Sequence, residues 1–323
     1  MSAVAVSAQL ETESQAIRDF HARMKEEVGR VLVGMDATVS TTVQALLANG
    51  HVLLEGVPGV AKTSLSKVLS VLLGLDSQRL QFTPDLLPQD VTGTTVPDRK
   101  SGEWVLRKGP VFTNILLADE INRASAKTQS SLLEAMQEKQ VSIEGQTLPL
   151  SMPFLVMATQ NPIEQEGVYR LPEAQLDRFL VCIKMAYPDR RREIEMLSRR
   201  SESSVDLKPI ANGRMILAWQ ELVDRVHAEK SVVEYIVDLV RATRKHPAAF
   251  LGGSPRAALA LLKMSRSRAI CEGRTYITHE DVQAVAPGVL SHRIIVRPES
   301  ELEGWTGESI VRDALGSEPV IAG

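Results

Sequence analysis

Cysteine is nearly absent from this chain of 323 residues: Cys182 and Cys271 are the only two. They stand far apart and neither belongs to a C-x-x-C pair, which leaves no disulfide framework and no thiolate metal centre. Both read as small buried hydrophobes. Aromatic residues make up 4% of the sequence, too few for a mechanism that stacks the bases of a single strand. No apolar run approaches the ~20 residues of a membrane span. The N-terminus lacks the basic-then-apolar layout of a secretory signal, so the chain reads as cytoplasmic, with no membrane insertion. Neither sign of charge dominates. With 37 Lys+Arg against 40 Asp+Glu the net charge is -3, which gives no global pull toward nucleic acid. His21, His51, His227, His246, His279 and His292 show no H-x-x-x-H spacing, and surface or half-buried roles are expected for them rather than metal ligation.

What is present is concentrated in three places. The apolar run Val52-Leu53-Leu54 leads into Gly56-Val57-Pro58-Gly59-Val60-Ala61-Lys62-Thr63 and Ser64. A buried strand, a loop of small residues ending in Lys-Thr and then a helix is the layout that cradles a nucleoside triphosphate. Backbone N–H groups wrap the phosphates and the helix points its positive end at them. In this pattern Lys62 reaches the phosphates and the Thr63 hydroxyl holds Mg²⁺. Ala61 stands where G-x-x-x-x-G-K-[ST] has its second glycine, and a methyl is tolerated there if φ stays negative. Farther on, Asn114-Ile115-Leu116-Leu117-Ala118-Asp119-Glu120 is a second apolar strand, ending in two acids. Asp119 is placed to hold the Mg²⁺ shell, and Glu120 to polarise the attacking water. A third apolar strand, Phe154 to Thr159, ends in Gln160-Asn161-Pro162, a polar tip able to hydrogen-bond the water or the γ-phosphate. Ligands gather at the carboxyl ends of parallel strands, and all three strands deliver their chemistry there.

Along the chain, residues 1–12 are small and polar and read as disordered. Amphipathic helices are expected over about 14–28 and 35–48, then a helix from Lys62 to Leu73 stopped by Gly74. Pro84, Pro88, Pro97 and Pro110 with Gly93, Gly102 and Gly109 mark residues 80–111 as an inserted β-type excursion, not a core element. Its turn falls at Asp98-Arg99-Lys100-Ser101-Gly102. A second hairpin is expected over 140–150, around Glu144-Gly145-Gln146, and a helix over 125–139. After the strand 180–185 the pattern becomes almost wholly helical. Helices are expected over 189–202, 212–227, 231–245, 255–272 and 279–286, the last opened by a Thr278/Asp281 capping box. The fold class expected is α/β: an α/β core over 13–188, a helical domain over 189–295 and a peripheral tail over 296–323.

Taken in order, these motifs together with Leu171-Pro172-Glu173-Ala174-Gln175-Leu176-Asp177-Arg178-Phe179 closely resemble the MoxR family of AAA+ ATPases. Loops of that family commonly carry Ala-Lys-Thr. The resemblance covers roughly residues 15 to 295. It implies a P-loop parallel sheet sandwiched by helices, two β-hairpin insertions and a C-terminal all-helical lid. It implies ATP as substrate, ADP as product and Mg²⁺ as cofactor. By the same resemblance Arg178 matches the arginine finger that enters a neighbouring subunit's site, Asn161 matches sensor 1 and Arg256 matches the sensor 2 arginine of the lid. Val33 and Gly34 match the adenine-edge contact, although a packing turn explains them as well, and Arg123 fits either a subunit interface or a structural ion pair. A finger supplied in trans implies a ring, a homohexamer, working as a chaperone-like remodeller of client protein complexes. Such work can include metal insertion, often with a partner carrying a von Willebrand A domain. Two other readings stay open. One is a nucleotide-state scaffold with little turnover. The other is a nucleic-acid motor of the MCM-like clade, which would need basic hairpins that this sequence does not clearly supply.

Overall fold

In a computed structural model the chain is described over residues 3–57, 59–98, 100, 103–161, 169, 171–199 and 206–317. Arg99, Ser101 and Gly102 of the expected turn lie outside the described residues. The order begins α1 (Ala3–Gly29), α2 (Asp36–Leu47), β1 (Val52–Gly56), α3 (Lys62–Leu73), β2 (Ser77–Gln81), α4 (Pro88–Thr92), β3 (Gly93–Pro97) and β4 (Trp104–Lys108). It continues β5 (Ile115–Asp119), α5 (Ala126–Glu138), β6 (Gln140–Ile143), β7 (Gln146–Pro149), β8 (Leu155–Gln160), α6 (Glu173–Leu176) and β9 (Val181–Met185). Then come α7 (Arg190–Arg199), α8 (Gly213–Arg225), α9 (Lys230–Lys245), β10 (Ala249–Leu251), α10 (Pro255–Cys271), α11 (His279–Leu290), β11 (Ile295–Val296), α12 (Pro298–Leu302) and α13 (Gly307–Ser317).

The central sheet has five strands in the order β2-β5-β8-β1-β9, all parallel. Its strands alternate side chains between two cores, as a period of two requires. Val52, Leu54, Ile115, Leu117, Leu155 and Met157 face a core shared with α1, α2, α3 and the helices after residue 206. Leu53, Leu116, Ala118, Val156 and Ala158 face a second core with α5 and the β6–β7 hairpin. The strands are apolar throughout because both faces are covered.

Several expectations change. The N-terminal stretch read as disordered is helical from Ala3, as α1 runs unbroken to Gly29. Residues 80–111 are not wholly an excursion: β2 reaches Gln81 and pairs with β5 from Ser77↔Ile115 to Gln81↔Asp119. The strand escapes a search for apolar runs because, at the sheet edge, it stays half-exposed and reads Ser-Gln-Arg-Leu-Gln. After β2 the region holds the short helix α4, and only Gly93–Pro97 and Trp104–Lys108 form the expected antiparallel hairpin, β3–β4. The tail expected after residue 296 is packed. Ile310 and Val311 of α13 are fully buried, and β11 pairs with β10 in a small antiparallel sheet within the helical part.

Candidate active site

The strand order sets β5, β8 and β1 side by side, so the residues following their carboxyl ends meet along one edge. At Gly56, the end of β1, a Cβ would stand 2.4 Å from the Met185 carbonyl oxygen. Only glycine lets β1 close on β9 here. Val57, Gly59, Val60 and Ala61 continue the loop, while Pro58 lies outside the described residues. Ala61 has φ 57° and ψ 24°. The tolerance expected at negative φ is therefore overturned: a left-handed alanine costs roughly 1 kcal/mol, and the loop carries that cost to start α3 at Lys62.

Lys62 turns its Nζ back onto the Gly56 carbonyl, 2.6 Å away. Burial lowers its pKa, while the negative charges of Asp119 and Glu120 act in the opposite sense, so the lysine and both acids share one field. Thr63 and Ser64 occupy the first turn of α3, Thr63 half-buried and Ser64 exposed, where helical N–H groups are left unpaired.

Both acids are held from neighbouring strands. Asp119 accepts from Thr159 Oγ1 at 2.6 Å on Oδ1. On Oδ2 it accepts from Arg79 Nη2 at 2.7 Å and Nε at 3.2 Å. Glu120, with a left-handed backbone at φ 55°, accepts from Gln81 Nε2 at 2.6 Å and pairs with Arg123 Nε at 3.0 Å. Arg79 Nη2 also donates to Gln81 Oε1 at 2.7 Å. Edge strand β2 thus secures both acids by one connected set of bonds. Asn161 lies buried just past β8, and Gln160 before it hydrogen-bonds Glu55 of β1.

The two remaining arginines sit elsewhere. Arg178 donates to the Leu133 carbonyl of α5 at 2.8 Å, and no hydrogen bond among the described residues joins it to Lys62, Asp119 or Glu120. Arg256 is exposed in the first turn of α10. A cavity of about 900 Å³ opens beside the loop, lined by Val33, Gly34, Gly59, Val60, Ala61 and Met185 among others. The structure therefore brings Val33 and Gly34 to the phosphate loop. Arg79, Gln81 and Thr159 were not foreseen as site residues. Arg79 and Gln81 are two apart on one strand, but only the pairing of β2 with β5 reveals what they face.

The donors suit a magnesium nucleotide. Among the described residues no group of three or more His, Cys, Asp or Glu could hold a metal by itself. Thr63 and Asp119 instead offer one hydroxyl and one carboxylate, the sparse hard-oxygen set typical of Mg²⁺ held jointly with phosphates.

Comparison with known proteins agrees with this geometry. The sequence pattern of the ATPase family associated with various cellular activities (AAA) matches residues 51–181, and that of the AAA lid domain matches residues 241–314. The chain is 47% identical to the uncharacterized protein YeaC of Bacillus subtilis, covering 91% of this chain and 93% of that one. It is 44% identical to Chaperone MoxR1 of Mycobacterium tuberculosis, over 90% of this chain and 79% of the relative. With Protein MoxR of Methylorubrum extorquens the identity is 32%, over 88% and 90%. A 2.00 Å crystal structure of a candidate ATPase from Cytophaga hutchinsonii superposes with a TM-score of 0.91 at 39% identity, over 99% of this chain and all of that one. Loop, paired acids, lid and relatives all converge: the chain belongs to the MoxR family of AAA+ ATPases.

Proposed function

We propose that this protein hydrolyses ATP at the subunit interfaces of a homohexameric ring and spends the energy remodelling client protein complexes. The reading rests on one observation above all: Lys62 at the start of α3 and Asp119 and Glu120 at the end of β5 stand along the carboxyl edge of one sheet, whereas the Arg178 side chain bonds the Leu133 carbonyl of α5 and, among the described residues, none of those three. Lys62 would leave the Gly56 carbonyl to bind the β- and γ-phosphates. Thr63 and Asp119 would hold Mg²⁺, which when bound neutralises charge on the phosphate oxygens. Glu120 would orient water and take up its proton density, with Asn161 as hydrogen-bond partner. The N–H groups of Gly59 to Ser64 would line the phosphates, and Val33 and Gly34 the base. Arg256 would approach from the lid, and Arg178 would act on the next subunit's site.

The bonds from Arg79, Gln81 and Arg123 to the two acids favour low turnover until nucleotide and neighbour compete for them. Chaperone is the name of one relative; carried to this chain, it suggests assembly or activation of a client, with metal insertion and a von Willebrand A partner as specific forms. A cytoplasmic setting fits the expectation from sequence, and no helix among the described residues is long and apolar enough to cross a membrane. The test is steady-state ATP hydrolysis against protein concentration for wild type, Glu120→Gln and Arg178→Ala. Turnover per subunit should rise with concentration, vanish in both variants and return in part when they are mixed. Turnover independent of concentration and untouched by Arg178→Ala would refute the ring reading.

A further inference from the structure

Asp177, the residue before Arg178, is the meeting point of two lid elements. Arg293, at the end of the 3-10 turn Ser291–Arg293 that follows α11, is buried and places Nε 2.7 Å from Asp177 Oδ1. Its other nitrogens donate to backbone carbonyls of the same stretch: Phe179 at 2.6 Å, Leu180 at 3.1 Å and Asp177 itself at 3.3 Å. Burial works against the charge of this guanidinium, and Asp177 offsets that effect. On its second oxygen, Asp177 accepts from Ser254 Oγ at 3.1 Å. Ser254 is the N-cap of α10, accepting from Ala257 N, and the first turn of α10 carries Arg256.

The lid side of this junction is rigid. Gly252 is packed so closely on α9 that a Cβ would stand 2.5 Å from the Arg244 backbone nitrogen. Gly253 donates to Thr243 Oγ1 at 3.0 Å and accepts from Arg244 Nε at 2.6 Å. On the other side the backbone is held by Arg293, and it is the Arg178 side chain that is sparsely bonded. Among the described residues the Arg178 side chain makes one hydrogen bond, to the Leu133 carbonyl, and its buried Nε has no partner. A shift of the α9–α10 corner would thus be transmitted to Asp177, and the side chain free to follow is the one next to it.

We infer that Asp177 is a positioning residue: through Ser254 and Arg293 it ties the segment bearing Arg178 to the lid, so that lid position sets how Arg178 is presented to the neighbouring subunit. One carboxylate then links the arginine that would sense nucleotide in its own subunit, Arg256, to the one that would act in the next. This inference rests on the reading of Arg178 given above.

Ser254→Asp tests it. Aspartate keeps the N-cap but sets a second carboxylate against Asp177, whereas Ser254→Thr preserves both roles. In Ser254→Asp kcat should fall about tenfold or more, as misplacement of a transition-state group by a fraction of an ångström does. ATP affinity, measured by fluorescent-nucleotide titration, should stay at the wild-type value, Tm should fall only modestly from the repulsion between the two carboxylates, and Ser254→Thr should match wild type in every respect. Mixed with Glu120→Gln subunits, Ser254→Asp subunits should recover part of the turnover, as Arg178→Ala does, because their own sites stay competent and lack only a presented finger. If Ser254→Asp does not fold, Asp177→Asn is read in the same way. Wild-type kcat in Ser254→Asp beside an inactive Arg178→Ala would overturn this inference alone, as would parallel losses of kcat and affinity. Wild-type turnover in Arg178→Ala would overturn the finger reading and this inference with it.

Discussion

His51 stands just before β1 and is buried, where the spacing of histidines suggested nothing beyond surface or half-buried roles. Its Nδ1 accepts the Val156 N–H at 3.0 Å, and Nε2 lies 3.1 Å from the Met136 carbonyl. The ring is therefore the neutral tautomer with its proton on Nε2. Burial, reinforced by the nearby Lys139 ammonium, pushes its pKa from 6.5 down to about 3. The unfolded chain takes up a proton near pH 6.5 that the native state refuses until about 3, so stability is lost as pH falls through that window. Between pH 6.5 and 5 the single group removes about 2 kcal/mol. Urea unfolding at pH 7 and pH 5 should show this loss in wild type, with His51→Gln less stable at pH 7 but losing about 2 kcal/mol less between the two. An equal loss in both proteins would assign the acid sensitivity elsewhere. His21 is also buried, with a pKa pushed down to about 4, so part of the acid loss should survive the substitution. Neither environment could be read from spacing, because each is built by residues distant in the chain.

At the level of elements, α13 carries the sharpest consequence. Residues 307–317 read as part of a Pro/Gly/Glu-rich tail, yet Ile310 and Val311 are fully buried and Ala314 nearly so. All three belong to the larger core. Ile310→Ala should cost about 2–5 kcal/mol. Arg312→Ala on the same helix removes only an exposed pair with Glu308 and should stay within about 0.5 kcal/mol. Chemical denaturation of both variants decides it, and equal effects would mean that α13 is not docked in solution. Elements whose limits are written locally were legible. Helix α3 spans Lys62–Leu73 as expected, bounded by the phosphate loop and by Gly74 in a left-handed C-cap. The Thr278/Asp281 box opens α11 as expected, although the helix continues past Pro287 to Leu290. Strand β2 and helix α13 were illegible for opposite reasons. The first is polar because it lies at an edge, and the second is short and hides its apolar residues among turn formers. With β2 went Arg79 and Gln81, and so the question of what holds Asp119 and Glu120.

Taken whole, the molecule divides in sequence into an α/β part and a helical part, but not in its packing. One core runs from α1 and α2 through one face of the sheet into α8, α9, α10, α11 and α13. Trp219 of α8 packs against Phe20 of α1 with ring centroids 4.7 Å apart and the planes tilted by 44°. The candidate nucleotide cavity lies at the same joint, between the turn after α1, the phosphate loop and the chain leaving β9. Parts that share a core lose it together, so unfolding should be a single transition despite the length of the chain. The chain has three tryptophans, and replacing Trp104 and Trp305 by Phe leaves Trp219 as the reporter of the joint. Its fluorescence and the far-UV circular dichroism should then give coincident denaturation midpoints. Because ligand at the joint binds only the assembled native state, Mg-ATP at ~100 times its Kd should raise both midpoints equally, by about 2.7 kcal/mol in stability. A Trp219 transition that precedes the loss of helix, or that alone responds to nucleotide, would mean that the helical part parts from the sheet before either unfolds.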